Sequence, residues 1–226
     1  MRAVVVGGGD PPAPELLDWL LAVEGAFLVA ADGGADSLRA SGRVPRYLIG
    51  DFDSVLDTTL EWYRAQPGCH VRHMPRQSDT DIEKCLDVLV HEGVRTAALC
   101  AVFGNRLDHS LSNLAIVLRW SERIRLTVYA GQSVLEVVRG DCVFPASLGT
   151  VVSLYAFDPA VRVTTRGLKY PLHDEPLVFG VRESTSNAAS ARHVHLQVRG
   201  GPLFLVRSQD EVMRQGLLYA VAENRG

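Results

Sequence analysis

The chain has 226 residues, 47% hydrophobic and 22% charged, enough for one large domain or two small ones and too apolar for a disordered chain. A formal net charge of −3 leaves no electrostatic footprint for nucleic acid or an anionic membrane. The opening apolar run, Ala3–Val6, is too short for an export signal, and no uninterrupted apolar stretch is long enough to span a bilayer, so the default location is the cytoplasm.

The first half alternates between two kinds of segment. Strand-like runs lie at 3–6, 27–31, 46–49, 70–74, 96–103 and 125–129. Between them, Ile82, Cys85, Leu86, Leu89 and Val90 recur at helical spacing over 81–91. Leu111, Leu114, Ala115 and Leu118 do the same over 109–120, and 14–23 is an apolar segment entered behind Pro11 and Pro12. This alternation predicts an α/β domain with a mostly parallel sheet covered on both faces, over residues 1–130. The period then changes. Short runs at 133–138, 150–157, 161–165, 176–179, 193–198 and 203–207, punctuated by glycines, predict an all-β, sandwich-like domain over 131–226. Helical spacing returns over 210–224. Cys69, Cys85, Cys100 and Cys142 have no paired spacing and read as structural thiols. His193 and His195 share one face of a strand but lack a third ligand, and read as surface residues.

Four polar, glycine-rich segments follow predicted strands, at the edge where open parallel sheets bind ligands. In Ala31-Asp32-Gly33-Gly34-Ala35-Asp36, Asp32 serves either as a ligand or as a helix cap. In Gly50-Asp51-Phe52-Asp53-Ser54, two carboxylates bracket an aromatic residue. Hard oxygen ligands on a tight turn suit Mg²⁺, and the competing reading is an Asx turn with a cap at Asp53 or Ser54. In Gln77-Ser78-Asp79-Thr80-Asp81-Ile82-Glu83-Lys84, Thr80 and Glu83 form a capping box. That places Asp81 and Lys84 on the first turn of a helix, where free N–H groups attract phosphate. In Gly104-Asn105-Arg106-Leu107-Asp108-His109, Arg106 offers a planar fork to phosphate oxygens, while Asp108 either caps the next helix or faces a metal. Gly7-Gly8-Gly9 does not match the dinucleotide fingerprint, and no phosphate-binding P-loop is present.

The ordered set ADGGAD, GDFDS, TDIEK and GNRLDH resembles thiamine pyrophosphokinase, Gly167–Leu172 (GLKYPL) is similar to that family's later segment, and Ser184–Asn187 (STSN) is similar to its Ser-Asn turn. The resemblance implies transfer of the pyrophosphoryl group of ATP to thiamine, giving thiamine diphosphate and AMP. It implies a homodimer with thiamine at the subunit interface. Asp51, Asp53 and Asp81 would hold Mg²⁺, and with Asp108 would form the catalytic set. Asp32, Ser54, Thr80, Lys84, Arg106 and His109 would surround ATP, and Gln77, Ser186 and Asn187 would face thiamine. The third segment departs from the family pattern: Ser78 stands where an aspartate is usual, and the acid appears at Asp79. The competing functions are a pyrophosphokinase for another heterocyclic alcohol, such as a hydroxymethylpterin, and a sensor without turnover.

Overall fold

Val4, Val5 and Val6 have no exposed surface, as a strand covered on both faces requires. The computed structural model describes residues 1–76, 78–104, 106–216 and the backbone at 220 and 221. These fall into two units, Met1–Gly131 and Gln132–Gly226.

The first unit runs β1 (Arg2–Val6), α1 (Pro14–Leu21), β2 (Ala26–Ala31), α2 (Gly34–Ala40), β3 (Tyr47–Gly50), α3 (Asp57–Arg64), β4 (His70–His73), α4 (Asp81–His91), β5 (Thr96–Cys100), α5 (Leu107–Trp120) and β6 (Arg125–Ala130). Its six strands pair in parallel in the order β4-β3-β2-β1-β5-β6. Val4 is flanked by Leu28 on one side and Ala98 on the other. From β1 the chain steps outward through β2 and β3 to β4, then returns to add β5 on the opposite side of β1. The order therefore reverses between β1 and β5, and in such sheets the carboxyl ends of those two strands open a crevice.

Helix α4 begins at Thr80, whose hydroxyl accepts the Glu83 N–H while the Glu83 carboxylate accepts the Thr80 N–H. Two helices had no clear periodic signal. α2 is only seven residues long, and α3 buries just Thr59, Leu60 and Tyr63 of its eight.

The second unit is antiparallel and β-rich: β7 (Ser133–Pro145), β8 (Val151–Tyr155), β9 (Arg162–Arg166), β10 (Glu175–Pro176), β11 (Ser184–Ala188), β12 (His193–Ser208), α6 (Gln209–Gln215) and β13 (Ala220–Val221). β12 is one long strand where the pattern predicts two. Along one edge it pairs with β7 throughout. Along the other it pairs first with β9 and then with β8. The change of partner coincides with a register shift between Val198 and Leu203, where Gly200 adopts φ 82°. The glycine bulge lets this one strand change partner along its second edge, from β9 to β8, within the unit. Its core includes Phe144, Val152, Leu154, Val163, Val194 and Leu205.

Two expectations for this unit need correction. Ser184–Asn187 lies in β11 rather than in a turn. The terminal helix stops at Gln215, because Gly216 caps it in the left-handed conformation, and Ala220–Val221 pair with β7 instead of continuing it. Gln77 and most of the tail after 216 lie outside the described residues. Among the described residues no helix is long and apolar enough to cross a membrane.

Candidate active site

The reversal point carries a cleft of about 780 Å³, floored by Gly7–Asp10 after β1 and by Ala101–Gly104 after β5. The two floor segments hydrogen-bond to each other, with Gly9 N–H donating to the Ala101 carbonyl at 2.7 Å and Asp10 N–H to the Phe103 carbonyl at 3.0 Å. A Cβ on Gly9 would stand 2.1 Å from the Phe103 carbonyl oxygen, so only glycine permits this approach. Gly7-Gly8-Gly9 is therefore part of the site despite matching no nucleotide fingerprint. Sequence reasoning also missed Asp10, Phe103 and the buried Asn113, whose amide donates to the Val102 carbonyl at 2.6 Å. Their place became visible only with the strand order.

Three non-glycine residues just past the ends of β2, β3 and β5 adopt positive φ: Asp32 at 40°, Phe52 at 66° and Ala101 at 54°. Each such residue costs on the order of 1–3 kcal/mol, and this strain recurs at ligand sites. The Phe52 ring stacks on His73 at 5.4 Å between centroids. Its left-handed turn separates Asp51 from Asp53, and one carboxylate oxygen from each lies within 4.8 Å of one on Asp32. Gly50 makes room, since a Cβ there would meet the Asp32 Cβ at 2.8 Å. Asp81, expected at the metal, is not in this trio; Asp32, expected at ATP, is.

The trio suits a hard cation. Asp32 Oδ1 accepts the Val55 N–H at 3.0 Å, but its buried Oδ2 meets no donor among the described residues. Burial pushes the Asp32 carboxyl up to about 6. A buried carboxylate oxygen without a donor is costly unless a proton or cation satisfies it, and a turn presenting several such oxygens is what Mg²⁺ or a similar ion takes.

Lys84 lies one helical turn into α4 with its side chain 1% exposed. Its ammonium donates to Asp81 at 2.9 Å and to Asp51 at 3.0 Å. Burial opposes charge on both Lys84 and Asp51. The mutual contacts outweigh it, holding the Asp51 carboxyl below its ordinary range and the Lys84 ammonium above its own. This lysine is thus committed to two acids, a pairing the sequence did not announce.

Arg106 directs its fork at Asp108, at 2.9 and 2.6 Å, and this bond holds the Asp108 carboxyl well below the usual carboxylate range. α5 starts at Leu107 with Arg106 as its N-cap residue, so Asp108 sits in the first turn and caps nothing. The other two cap readings also fail. α2 is preceded by Gly33 without a side-chain cap, and α3 starts at Asp57, beyond Asp53 and Ser54. Ser54 donates to Asp53 at 2.8 Å, and Ser54, Thr80 and His109 line the cleft. Asp79 pairs with Arg76 at 3.2 Å.

In the second unit, Ser186 is exposed at φ 54°. The buried Asn187 amide accepts the Tyr170 N–H at 3.1 Å and donates to the Tyr170 carbonyl at 2.7 Å, so it is spent on clamping the Gly167–Leu172 segment. Asn187→Ala is expected to lower unfolding stability by about 2 kcal/mol, measured by urea denaturation.

Two family models match the chain: the thiamin pyrophosphokinase catalytic domain over residues 20–129 and the thiamin pyrophosphokinase vitamin B1 binding domain over residues 141–203. Thiamin pyrophosphokinase 1 of Caenorhabditis elegans is 25% identical over 203 residues, 83% of this chain and 82% of that protein. The crystal structure of thiamin pyrophosphokinase from Geobacillus thermodenitrificans is 27% identical and superposes with a TM-score of 0.79 over 92% of this chain and 97% of its own. The Bacillus subtilis structure, 22% identical, shares the fold with a TM-score of 0.79 over 93% of this chain and all of its own. With matching models on both halves and a cleft lined by acids at the strand ends, the chain belongs to the thiamin pyrophosphokinase family.

Proposed function

We propose that this chain transfers the pyrophosphoryl group of ATP to the hydroxyethyl oxygen of thiamine, releasing AMP and thiamine diphosphate. The observation that carries the chemistry is the meeting of Asp51 and Asp53 with Asp32, which itself lines the reversal-point cleft. Family membership carries the substrate.

In this reading Asp51 and Asp53 would hold Mg²⁺ with Asp32, and Asp81 stands beside them on Lys84. When bound, the ion neutralises triphosphate charge and stabilises what builds on the departing α-phosphate. Asp51 stays ionised because Lys84 faces it. Arg106 exchanges Asp108 for phosphate oxygens, a swap between two anions that its planar fork accommodates equally. Asp108 is a weak base while Arg106 holds it, so it can accept a proton only after that exchange. Ser54, Thr80 and His109 line the wall on which ATP lies. Lys84 acts on the phosphates through its two acids rather than by touching them. Gln77 and Ser186 serve the thiamine side, where Asn187 acts by holding the Tyr170 backbone. The working form is a homodimer in the cytoplasm, with thiamine at the subunit interface.

The test is AMP release from ATP with Mg²⁺, with thiamine or a hydroxymethylpterin as acceptor. Release with thiamine alone is expected. Release with only the pterin would move the chain to another acceptor, and thiamine binding without AMP would make it a sensor.

A further inference from the structure

Asp36 lies in the first turn of α2, and its Oδ2 accepts the N–H of Leu56 at 3.2 Å. Four residues earlier, Asp32 Oδ1 accepts the N–H of Val55 at 3.0 Å. Two successive N–H groups of the segment that follows Asp53 are thus held by two carboxylates from the β2–α2 junction. Leu56 needs such a hold. It is the N-cap residue of α3, it makes no side-chain cap bond, and the residue is 61% exposed, so burial holds it only weakly. A carboxylate there also complements the positive end of α3. On the other side of the joint, the Tyr63 hydroxyl reaches the Arg43 carbonyl just past α2 at 2.9 Å and the Ala35 carbonyl of α2 at 3.2 Å. The segment bearing Asp51 and Asp53 is therefore pinned to α2 just beyond its strained turn.

We propose that Asp36 is a positioning residue for the acidic centre: its bond to the Leu56 N–H keeps Asp51 and Asp53 within reach of Asp32. This rests on reading those three acids as a cation site. A ligating carboxylate on an untethered turn visits many orientations, and groups that orient ligands typically govern metal affinity by about 10- to 100-fold.

The experiment measures Mn²⁺ binding to the nucleotide-free full chain by electron paramagnetic resonance, with thermal unfolding of the metal-free protein as a check on folding. Asp36→Ala is expected to weaken Mn²⁺ on the order of 10-fold. Asp36→Asn, which keeps an acceptor oxygen, is expected to bind within about 3-fold of wild type, since a neutral acceptor forms a somewhat weaker bond. Leu56→Pro removes the donor while leaving Asp36 in place. Leu56 already has φ −64°, the angle to which proline is locked, so this variant is expected to match Asp36→Ala. Because both act on one bond, the double variant is expected to bind no more weakly than either single. Wild-type affinity in Asp36→Ala, or losses that add in the double variant, would overturn the positioning role alone. Absence of Mn²⁺ binding in the wild type would remove the cation site itself, and the proposal with it.

Discussion

Asp53→Asn is expected to lower AMP formation at least a hundredfold while leaving the unfolding transition unchanged. Asp53 is the exposed member of the trio, and its side chain supports no core. The amide keeps the shape and one acceptor oxygen, including one for the Ser54 hydroxyl, but removes the negative charge. Charge is what a hard cation reads, and about 2.7 kcal/mol of lost transition-state stabilisation is a factor of a hundred in rate. Steady-state AMP release across a Mg²⁺ titration is the measurement. Near-normal turnover at all Mg²⁺ concentrations would remove Asp53 from the metal assignment.

Lys84→Met is expected to be the most damaging single change to the fold at the site. Methionine fills a similar volume but cannot donate to Asp51 or Asp81. Removing one partner of a buried pair strands the other, at a typical cost of about 3–5 kcal/mol. Here the expected loss is about 3 kcal/mol, because the Asp81 side chain remains 30% exposed and water offsets part of the change. Chemical denaturation of the metal-free protein reads it directly. Added Mg²⁺ should recover part of the loss, since a divalent ion can approach acids that the ammonium has left. A variant as stable as wild type would show that Lys84 matters to ligand rather than to the acids.

Much of the first unit was legible because its signals are local. The strands of a doubly covered parallel sheet are unbroken apolar runs, and α4 carries both a capping box and a clean apolar stripe, so its limits, Asp81–His91, follow from sequence. β12 was not legible as one strand. Gly200 and Gly201 look like a turn, and only pairing with β7 on both sides of them shows a bulge. β11, Ser-Thr-Ser-Asn-Ala, has no apolar alternation at all. The acids of the site were visible as strand-end residues, but their partners were not. Nothing in the spacing brings Asp32 rather than Asp81 to Asp51 and Asp53. A lysine on the first turn of a helix looks like a solvent-facing cation until the fold buries it.

The strand order has a consequence for how the polypeptide emerges during synthesis. β1 is made first and gains β2 within a few dozen residues, yet its opposite edge waits for β5, whose first residue is Thr96. For that interval a nascent chain carries the apolar Val4–Val6 with one row of backbone donors and acceptors open. Such an edge is a template for unwanted pairing with another chain. The glycine floor, which needs the Ala101 and Phe103 carbonyls as acceptors, closes at the same moment. Protection of the sheet edge and completion of the cleft thus both wait for the same stretch of chain, residues 96–103.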